Sequence, residues 1–326
     1  TMHITAATWI VTLTVLIALI GFDLFLAARR PHAVSMREAG AWTAFYVGLA
    51  IVFGLYMVVA YGGAAGGEFF AGWLTEYSLS VDNLFVFVII LSRFRVPREN
   101  QQYLLLIGII LALVMRAGFI VLGAAAIETF SWVFYLFGAF LVWTSWKLAT
   151  HSEEESGEFK ENRIVGWMRR VVSTTDDYHG NHLRVRIDGR KMWTPMIIVM
   201  VAIGTTDLLF ALDSIPAIFG LTQEPYIVFT ANAFALMGLR QLYFLLGGLL
   251  DRLVFLSTGL AIILGFIGVK LVLHALHVNE LPFINGGEPV TWAPEIPIMV
   301  SLGVIVGVLA VTATASLLHT RRAARP

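Results

Sequence analysis

The sequence predicts an all-α fold: a polytopic membrane helix bundle of about nine transmembrane helices, containing an inverted repeat of two three-helix units. Three observations predict it. The 326 residues are 58% hydrophobic and 13% charged, with a mean hydropathy of +0.79, outside the usual range of soluble domains. Several apolar runs are long enough to cross a bilayer, which takes about 20 helical residues. The few charged residues in these runs recur with one spacing in two halves of the chain.

The predicted spans follow one another through short connections, apart from one longer loop. They cover residues 8–28, 39–61, 68–92, 101–123, 130–149, 194–219, 226–248, 253–277 and 296–318. We divide the chain into transmembrane helices 1 and 2 (1–65), a first three-helix repeat (66–149), a cytoplasmic loop (150–193), a second three-helix repeat (194–277), and an extracytoplasmic loop with the last transmembrane helix and a cytoplasmic tail (278–326).

The positions of Lys and Arg predict the orientation. Basic residues follow predicted spans 1, 3 and 5 and close the chain, whereas the alternate loops 62–67, 124–129, 220–225 and 278–295 contain none. The positive-inside rule then places the N-terminus outside and the C-terminus in the cytoplasm. An odd number of spans likewise requires the two ends of the chain to lie on opposite sides of the membrane. Because the basic residues follow the first apolar run, we expect a retained span and not a cleaved signal.

The loop 150–193 is the only sizeable polar part, with eight basic and eight acidic residues. Residues 159–172 have the spacing of an amphipathic helix, which suits the cytoplasmic interface. The stretch "HLRVRIDGRKMW" alternates around Asp188-Gly189 and predicts a β-hairpin. We interpret the loop as a structured connector, with a regulatory or ligand-binding domain as the alternative.

Composition excludes several kinds of site. The formal net charge is zero, so no nucleic-acid-binding surface is expected. The chain has no cysteine, which excludes disulfides, thiolate metal sites and cysteine catalysis.

The internal repeat consists of charged and polar residues at matching positions. The first unit contains Glu76, Asp82, Asn83, Arg116, Glu128 and Lys147, and the second contains Asp207, Asp213, Ser214, Arg240, Asp251 and Lys270. The second carboxylate follows the first by six residues in both units, and the gaps from Arg to acid to Lys are 12 and 19 residues in one unit and 11 and 19 in the other. Since each unit has three spans, the second enters the membrane from the opposite side. Transporters of this architecture place substrate sites at the midplane between the repeats.

The intramembrane acids predict a cation site. A charge at a helix centre costs about 2.5–3.5 kcal/mol, so these acids must face one another, a basic partner, a water-filled cavity or a cation. Carboxylate, amide and hydroxyl oxygens without thiolates favour a hard divalent cation such as Mn²⁺, Mg²⁺ or Ca²⁺. The predicted metal ligands are Glu76, Asp82, Asn83, Asp207, Asp213 and Ser214, and the candidate vestibule or gate residues are Glu68, Asn232, Arg116 and Arg240. Protons would compete for the same acids, which suggests proton-coupled exchange.

The six-residue spacing limits how one helix can use both of its acids. Six steps of 100° place Glu76 and Asp82 about 240° apart, so an unbroken helix cannot aim both at one point. Either these helices are broken or each acid has a separate role. Pro216 makes a break plausible in span 6, and Ser78 and Ser80 could bend span 3.

Four stretches resemble a known family. They are "EYSLSVDNLFVF" (76–87), "TTDLLFALDSIPAIFG" (205–220), "YHGN" (178–181) and "TPM" (194–196). They resemble the TerC/Alx family of the LysE-type transporter group, over residues 39 to 318. The resemblance implies a bacterial inner-membrane protein of metal homeostasis, in better-understood members a Mn²⁺ exporter, with Glu76, Asp82, Asp207 and Asp213 at the motif positions. The family name refers to tellurite resistance, and Ca²⁺ is connected with some members.

Three functions are compatible with these observations. The first is a secondary transporter that exports a hard divalent cation, with Mn²⁺ as substrate and exchange for protons as its coupling. The second is a membrane assembly or metallation factor that docks partner proteins through the cytoplasmic loop. The third is an intramembrane enzyme, which we do not expect because the acids lack an HExxH motif or a nucleophile elbow. Expected partners are the cation, the lipid bilayer, and a second copy or other membrane proteins.

Overall fold

The computed structural model describes residues 3–29, 35–150, 163–172, 174–175, 178–180, 182–187, 190–246 and 253–323. Within these ranges, nine segments are helical, long and apolar enough to cross a membrane. The predicted all-helical membrane fold is therefore confirmed.

The chain forms eleven α-helices and one hairpin within the described ranges. The helices are α1 (Ala6–Arg29), α2 (Met36–Tyr61), α3 (Gly63–Arg93), α4 (Arg98–Thr129), α5 (Val133–Thr150), α6 (Arg163–Val171), α7 (Pro195–Phe219), α8 (Pro225–Leu236), α9 (Leu239–Leu246), α10 (Leu256–His277) and α11 (Ile298–Ala323). The strands β1 (Arg184–Ile187) and β2 (Arg190–Trp193) pair antiparallel between α6 and α7.

Local signals in the sequence define several helix starts. The Ser35 hydroxyl accepts the Glu38 amide at 3.2 Å at the start of α2, an N-cap that satisfies one of the free donors. Proline occupies the first position of α7 and α8, at Pro195 and Pro225, where its missing amide hydrogen costs nothing.

The helix break lies in the seventh span and not in the third or sixth. α3 is continuous through Ser80, and α7 is continuous through Pro216. α8 instead ends at Leu236, and Gly238 adopts φ +80° before α9 begins. Glycine is the residue that adopts this left-handed conformation most easily. Of the two alternatives for the paired acids, separate roles therefore fit this structure.

The helices of the two units pack in equivalent ways. α3 lies against α8, and α4 lies against α7. α3 also contacts α7, and α5 packs against α10. Exchanging α3 with α7, α4 with α8 and α5 with α10 reproduces this set of contacts, as an inverted repeat requires.

Burial increases from the outer helices to the interior. α3 and the span formed by α8 and α9 are mostly buried, whereas α1, α2 and α11 expose large apolar side chains. Val59 is 88% exposed and Val311 is 70% exposed, which suits contact with lipid tails and not with water.

The two ends of the bundle differ in chemistry. At one end, termed the acidic end, the connections 130–132, 220–224 and 278–297 contain Glu224, Glu280, Glu288 and Glu295 but no Lys or Arg. These connections are joined by side chains, for example Ser131 Oγ to Glu280 Oε2 at 3.0 Å. At the other end, termed the hairpin end, the Asn100 amide donates to the Gly180 carbonyl at 3.2 Å.

The predicted hairpin lies in the polar loop. Ile187 pairs with Arg190 and Arg184 pairs with Trp193, so the two strands flank Asp188-Gly189, which lie outside the described residues. The guanidinium of Arg184 lies 3.7 Å from the centre of the Trp193 ring. The hairpin prediction is confirmed.

Candidate functional site

A buried arginine joins carboxylates from the two repeat units at the centre of the bundle. Arg116 Nη1 donates to Glu76 Oε2 at 2.9 Å, and Arg116 Nη2 donates to Asp207 Oδ1 at 3.2 Å. Arg116 Nη1 also lies 3.4 Å from Asn232 Oδ1. All four residues are at most 3% exposed. Glu76, Arg116 and Asp207 are termed the central triad, and Asn232 lies beside it.

Helix positions explain why these side chains meet. Asp207 is at the midpoint of α7, and Glu76 and Arg116 lie in the middle parts of α3 and α4. Two glycines allow α4 and α7 to approach closely near the triad. A Cβ on Gly108 would lie 2.8 Å from Ile203 Cγ2, and a Cβ on Gly204 would lie 2.7 Å from Leu111 Cδ2. Small residues serve this purpose at helix contacts in membranes.

The central triad has unused hydrogen-bonding capacity. Glu76 Oε1, Asp207 Oδ2, Arg116 Nε and Asn232 Nδ2 are buried without a hydrogen-bond partner among the described residues. A buried polar atom left unpaired usually costs about 1–3 kcal/mol. Unpaired carboxylate oxygens at the membrane centre therefore mark this group as a place where a further ligand would be stabilised.

Ser214 is a predicted ligand that lies near this group, whereas Asn83 has no contact with it among the described interactions. The Ser214 side chain is buried, and its hydroxyl lies close enough to the Glu76 carboxyl to interact with it without forming a hydrogen bond of standard geometry. Asn83 is buried on α3. The side chain of Asp82, and all of Asp251, lie outside the described residues.

Asp213 lies apart from the triad. Its Oδ1 accepts the Thr144 hydroxyl of α5 at 3.0 Å, and Lys147 is close enough to act on its charge. Asp207 and Asp213 are six residues apart on one continuous helix and therefore point in different directions. Their carboxylates accordingly contact different helices. Within the described part of the chain, no three His, Asp or Glu side chains are arranged to hold a metal ion.

Arg240 does not repeat the contacts of Arg116. Its Nη2 donates to Asp23 Oδ1 at 2.7 Å, and the Gln241 amide donates to the same oxygen at 2.8 Å. Arg240 Nη1 lies 3.4 Å from Gln102 Oε1. Asp23 is on α1, outside both repeat units. Arg116 and Arg240 therefore occupy equivalent positions in the sequence repeat but bind carboxylates that are not equivalent.

A cavity of about 790 Å³ opens at the acidic end. Three carboxylates line it, those of Glu68, Glu128 and Glu224, together with Lys270. Glu68 Oε2 accepts the Thr222 hydroxyl at 2.5 Å. With three carboxylates and one ammonium group the lining has an excess of negative charge, which raises the local concentration of counter-ions, so this cavity suits a cation vestibule. Its described lining does not include Glu76 or Asp207.

A second cavity of about 420 Å³ adjoins the first and shares Glu68, Leu221, Lys270 and His274 with it. It adds Glu295 to its lining. Lys270 Nζ donates to Ser301 Oγ of α11 at 3.1 Å. Glu68, predicted as a vestibule residue, therefore lines both cavities.

Sequence reasoning missed Asp23, the partner of Arg240. Asp23 stands within the first apolar run, in "GFDLF". An ionisable residue inside a membrane span is by itself a signal for a buried partner, and this signal would have identified it. Nothing in the repeat spacing indicated that Asp207 would share Arg116 with Glu76.

The chain was also compared with known proteins. The model for the integral membrane protein TerC family matches residues 61–324. An uncharacterized membrane protein of Mycobacterium tuberculosis is 49% identical over 316 residues, covering 96% of this chain and 79% of that protein. An uncharacterized membrane protein of Myxococcus xanthus is 38% identical over 315 residues, covering 97% of this chain and 93% of that protein.

A third relative has a more informative name. The Alx protein of Escherichia coli (strain K12), described by its name as a candidate membrane-bound redox modulator, is 39% identical over 303 residues, covering 90% of this chain and 89% of that protein. No solved structure matches the chain at a significant level. The family match covers the central triad, both cavities and both repeat units, and the chain belongs to the TerC family of integral membrane proteins.

Proposed function

We propose that this protein is a secondary transporter that exports a hard divalent cation, with Mn²⁺ as its substrate, across the bacterial inner membrane in exchange for protons. The observation that carries the proposal is the meeting of Glu76 and Asp207, one carboxylate from each inverted unit, at the centre of the bundle. Transporters with inverted repeats bind substrate at this position.

The charges of the site support a cation as substrate. With the guanidinium of Arg116 included, the two ionised carboxylates leave a net charge of −1, and an unbalanced negative charge at the membrane centre favours binding of a further cation. The neighbouring oxygens of Ser214 and Asn232 are further hard ligands of the kind that Mn²⁺, Mg²⁺ and Ca²⁺ accept. Protonating Glu76 and Asp207 would neutralise the same pair, so protons are the natural exchange partner.

The acidic cavity supports a route to this pair. Its carboxylates attract cations to the end of the bundle that the positive-inside rule assigns to the outside. Because the cavity lining stops short of the triad, alternating access would require the two units to move so that the cavity reaches Glu76 and Asp207. Export, as the direction, follows from the resemblance of the two motif stretches to those of manganese exporters.

The name of the Escherichia coli relative suggests a redox role. These 326 residues contain no cysteine, so thiol–disulfide exchange by this chain is excluded. Control of an intracellular metal is a way for a membrane protein to affect redox state without thiols, and it is compatible with both names.

The test is cation flux into proteoliposomes that contain the purified protein. Mn²⁺ uptake is followed with Ca²⁺, Mg²⁺ and Zn²⁺ as competitors, at several imposed pH gradients, with protein-free vesicles as the control. Saturable Mn²⁺ flux that changes with the gradient supports the proposal. Absence of flux for every cation contradicts it and leaves the assembly or metallation factor, acting through the 150–193 loop, as the better hypothesis.

A further inference from the structure

The central triad contains its own cation. Arg116 is 1% exposed, and its two terminal nitrogens bind one carboxylate from each repeat unit. A divalent substrate that used Glu76 and Asp207 as ligands would lie within a few ångströms of this guanidinium, whichever carboxylate oxygens it used. Two cations so close together repel each other strongly where little water screens them, so binding of the metal ion favours departure of the guanidinium.

The contacts of Arg116 are those of an exchangeable partner. Each carboxylate gives it one oxygen, while Glu76 Oε1, Asp207 Oδ2 and Arg116 Nε have no partner among the described residues. A purely structural buried ion pair is stable only when its remaining hydrogen-bonding atoms are satisfied. Asn232 Oδ1, 3.4 Å from Arg116 Nη1, provides an acceptor that the guanidinium can keep when it leaves the carboxylates.

Arg240, whose Nε is also without a partner among the described residues, differs from Arg116 in which carboxylate it binds. Asp23 Oδ1 accepts bonds from both Arg240 and Gln241, at 2.7 and 2.8 Å, and Gln102 is near the second nitrogen. This arginine is held by a carboxylate of α1 that belongs to neither repeat unit. The repeat therefore supplies two arginines, and only Arg116 is placed between the carboxylates of both units.

We propose that the guanidinium of Arg116 is a built-in competitor at the transport site. It binds Glu76 and Asp207 when substrate is absent, and a divalent cation displaces it on binding. This inference rests on the proposed function. It assigns Arg116 a role in specificity. A tethered guanidinium is present at high effective concentration, so a monovalent cation of equal charge competes poorly, whereas a divalent cation gains enough attraction to displace it.

Mn²⁺ binding to the purified full chain in nanodiscs, measured by equilibrium dialysis with radioactive Mn²⁺, tests this role. Arg116→Gln is expected to bind Mn²⁺ more tightly by about tenfold or more, because the competitor is gone. Na⁺ at high concentration should then compete with Mn²⁺ in Arg116→Gln but not in the wild type. The double variant Asp23→Asn with Arg240→Gln is the matched control, since it removes the equivalent arginine elsewhere without leaving its carboxylate unpaired, and its Mn²⁺ affinity should stay near that of the wild type.

Chemical rescue separates competition from folding. In Arg116→Ala, guanidinium ion at low millimolar concentration should compete with Mn²⁺ and lower the Mn²⁺ affinity toward that of the wild type. It should also raise the melting temperature of the variant. If a variant does not fold alone, Mn²⁺ or guanidinium ion should restore its folding. The inference is overturned if the wild type binds Mn²⁺ but Arg116→Gln binds it no more tightly, or if neither ion restores an unfolded variant.

The experiment also distinguishes this failure from failure of the transport hypothesis. If neither the wild type nor any variant binds a divalent cation, the proposed function is wrong and the inference falls with it. If the wild type binds Mn²⁺ and Arg116→Gln loses that binding while folded, the proposed function survives, and Arg116 organises the site instead of competing for it.

Discussion

Glu76 and Asp207 accept hydrogen bonds from the two terminal nitrogens of one guanidinium, at 2.9 and 3.2 Å. Because they lie on α3 and α7, the equivalent helices of the two repeat units, Arg116 connects the units. Under the proposed function, this is where the units would separate during alternating access, and a ligand that replaced the guanidinium would also change the contact between them.

Asp23 is expected to stabilise the bundle by neutralising Arg240. Asp23→Asn leaves a buried guanidinium without a carboxylate, and we expect a loss of about 3–5 kcal/mol in stability, the usual cost of breaking a buried ion pair. Thermal unfolding in detergent measures it. The double variant Asp23→Asn with Arg240→Gln should recover part of the loss. Equal instability of the single and double variants would contradict a charge-based role.

Gly238 is expected to be required for the break between α8 and α9. Its φ of +80° disfavours a side chain, and a Cβ there would lie 2.8 Å from Tyr46 Cδ2. Gly238→Ala should lower the melting temperature, with a backbone cost of about 1–2 kcal/mol before any clash. Gly118→Ala is the control, because nothing lies within 4 Å of its added Cβ, and it should be neutral or stabilising. Unchanged stability of Gly238→Ala would show that the break is not maintained by glycine.

Asp213 is expected to affect movement of the cation more than its binding at the triad. Its carboxylate is bonded to Thr144 and not to Arg116. Asp213→Asn should therefore reduce Mn²⁺ flux while leaving equilibrium Mn²⁺ affinity within about threefold of the wild type, since the ligand pair is intact. Thr144→Val removes the same bond from the other side and should have a similar effect. Loss of Mn²⁺ binding in Asp213→Asn would place this acid in the binding site itself.

Glu224, which precedes α8 outside the spans, is expected to give the protein a measurable pH dependence. Burial raises the pKa of its carboxyl above the ordinary 4.5, and the charge of Glu128 acts in the same direction. A raised pKa means that folding favours the protonated acid, so its stabilising contribution is complete below pH 4.5 and is lost as pH rises through the folded-state value. Glu224→Gln should therefore become more stable than the wild type as pH rises to about 7.

The melting temperatures of Glu224→Gln and the wild type, measured at a series of pH values, test this prediction. Glu288→Gln, at an exposed carboxylate, is the control and should follow the wild type throughout. A constant difference between Glu224→Gln and the wild type at all pH values would show that Glu224 titrates normally.

Much of the fold was predictable from the sequence because lipid imposes a simple rule. A spanning segment must satisfy its own backbone hydrogen bonds, so apolar length alone identified all nine spans found in the described residues, with boundaries close to those observed. The hairpin was predictable for a similar reason, since a Gly turn between alternating residues has few other solutions. The sequence left open whether the acid-bearing spans are broken or their acids have separate roles; α7 is continuous through Pro216, and the interruption lies at Gly238.

The site was predictable in composition and only partly in geometry. Spacing identified Glu76, Asp207 and Arg116 as a repeated set, but spacing cannot decide which carboxylate an arginine will bind. That choice depends on the tilt and approach of α4 and α7, which small residues at Gly108 and Gly204 permit. The partner of Arg240 comes from outside the repeat, so no comparison of the two units could have indicated it.

The central claim is that Glu76 and Asp207 together bind the transported cation. The most direct test is Mn²⁺ flux into proteoliposomes for Glu76→Gln and Asp207→Asn beside the wild type, with Glu288→Gln as the control at an exposed acid. All variants must first be shown to be folded and equally incorporated. We predict that both triad variants fall to the rate of protein-free vesicles while Glu288→Gln transports like the wild type. Normal transport by both folded triad variants would contradict the account.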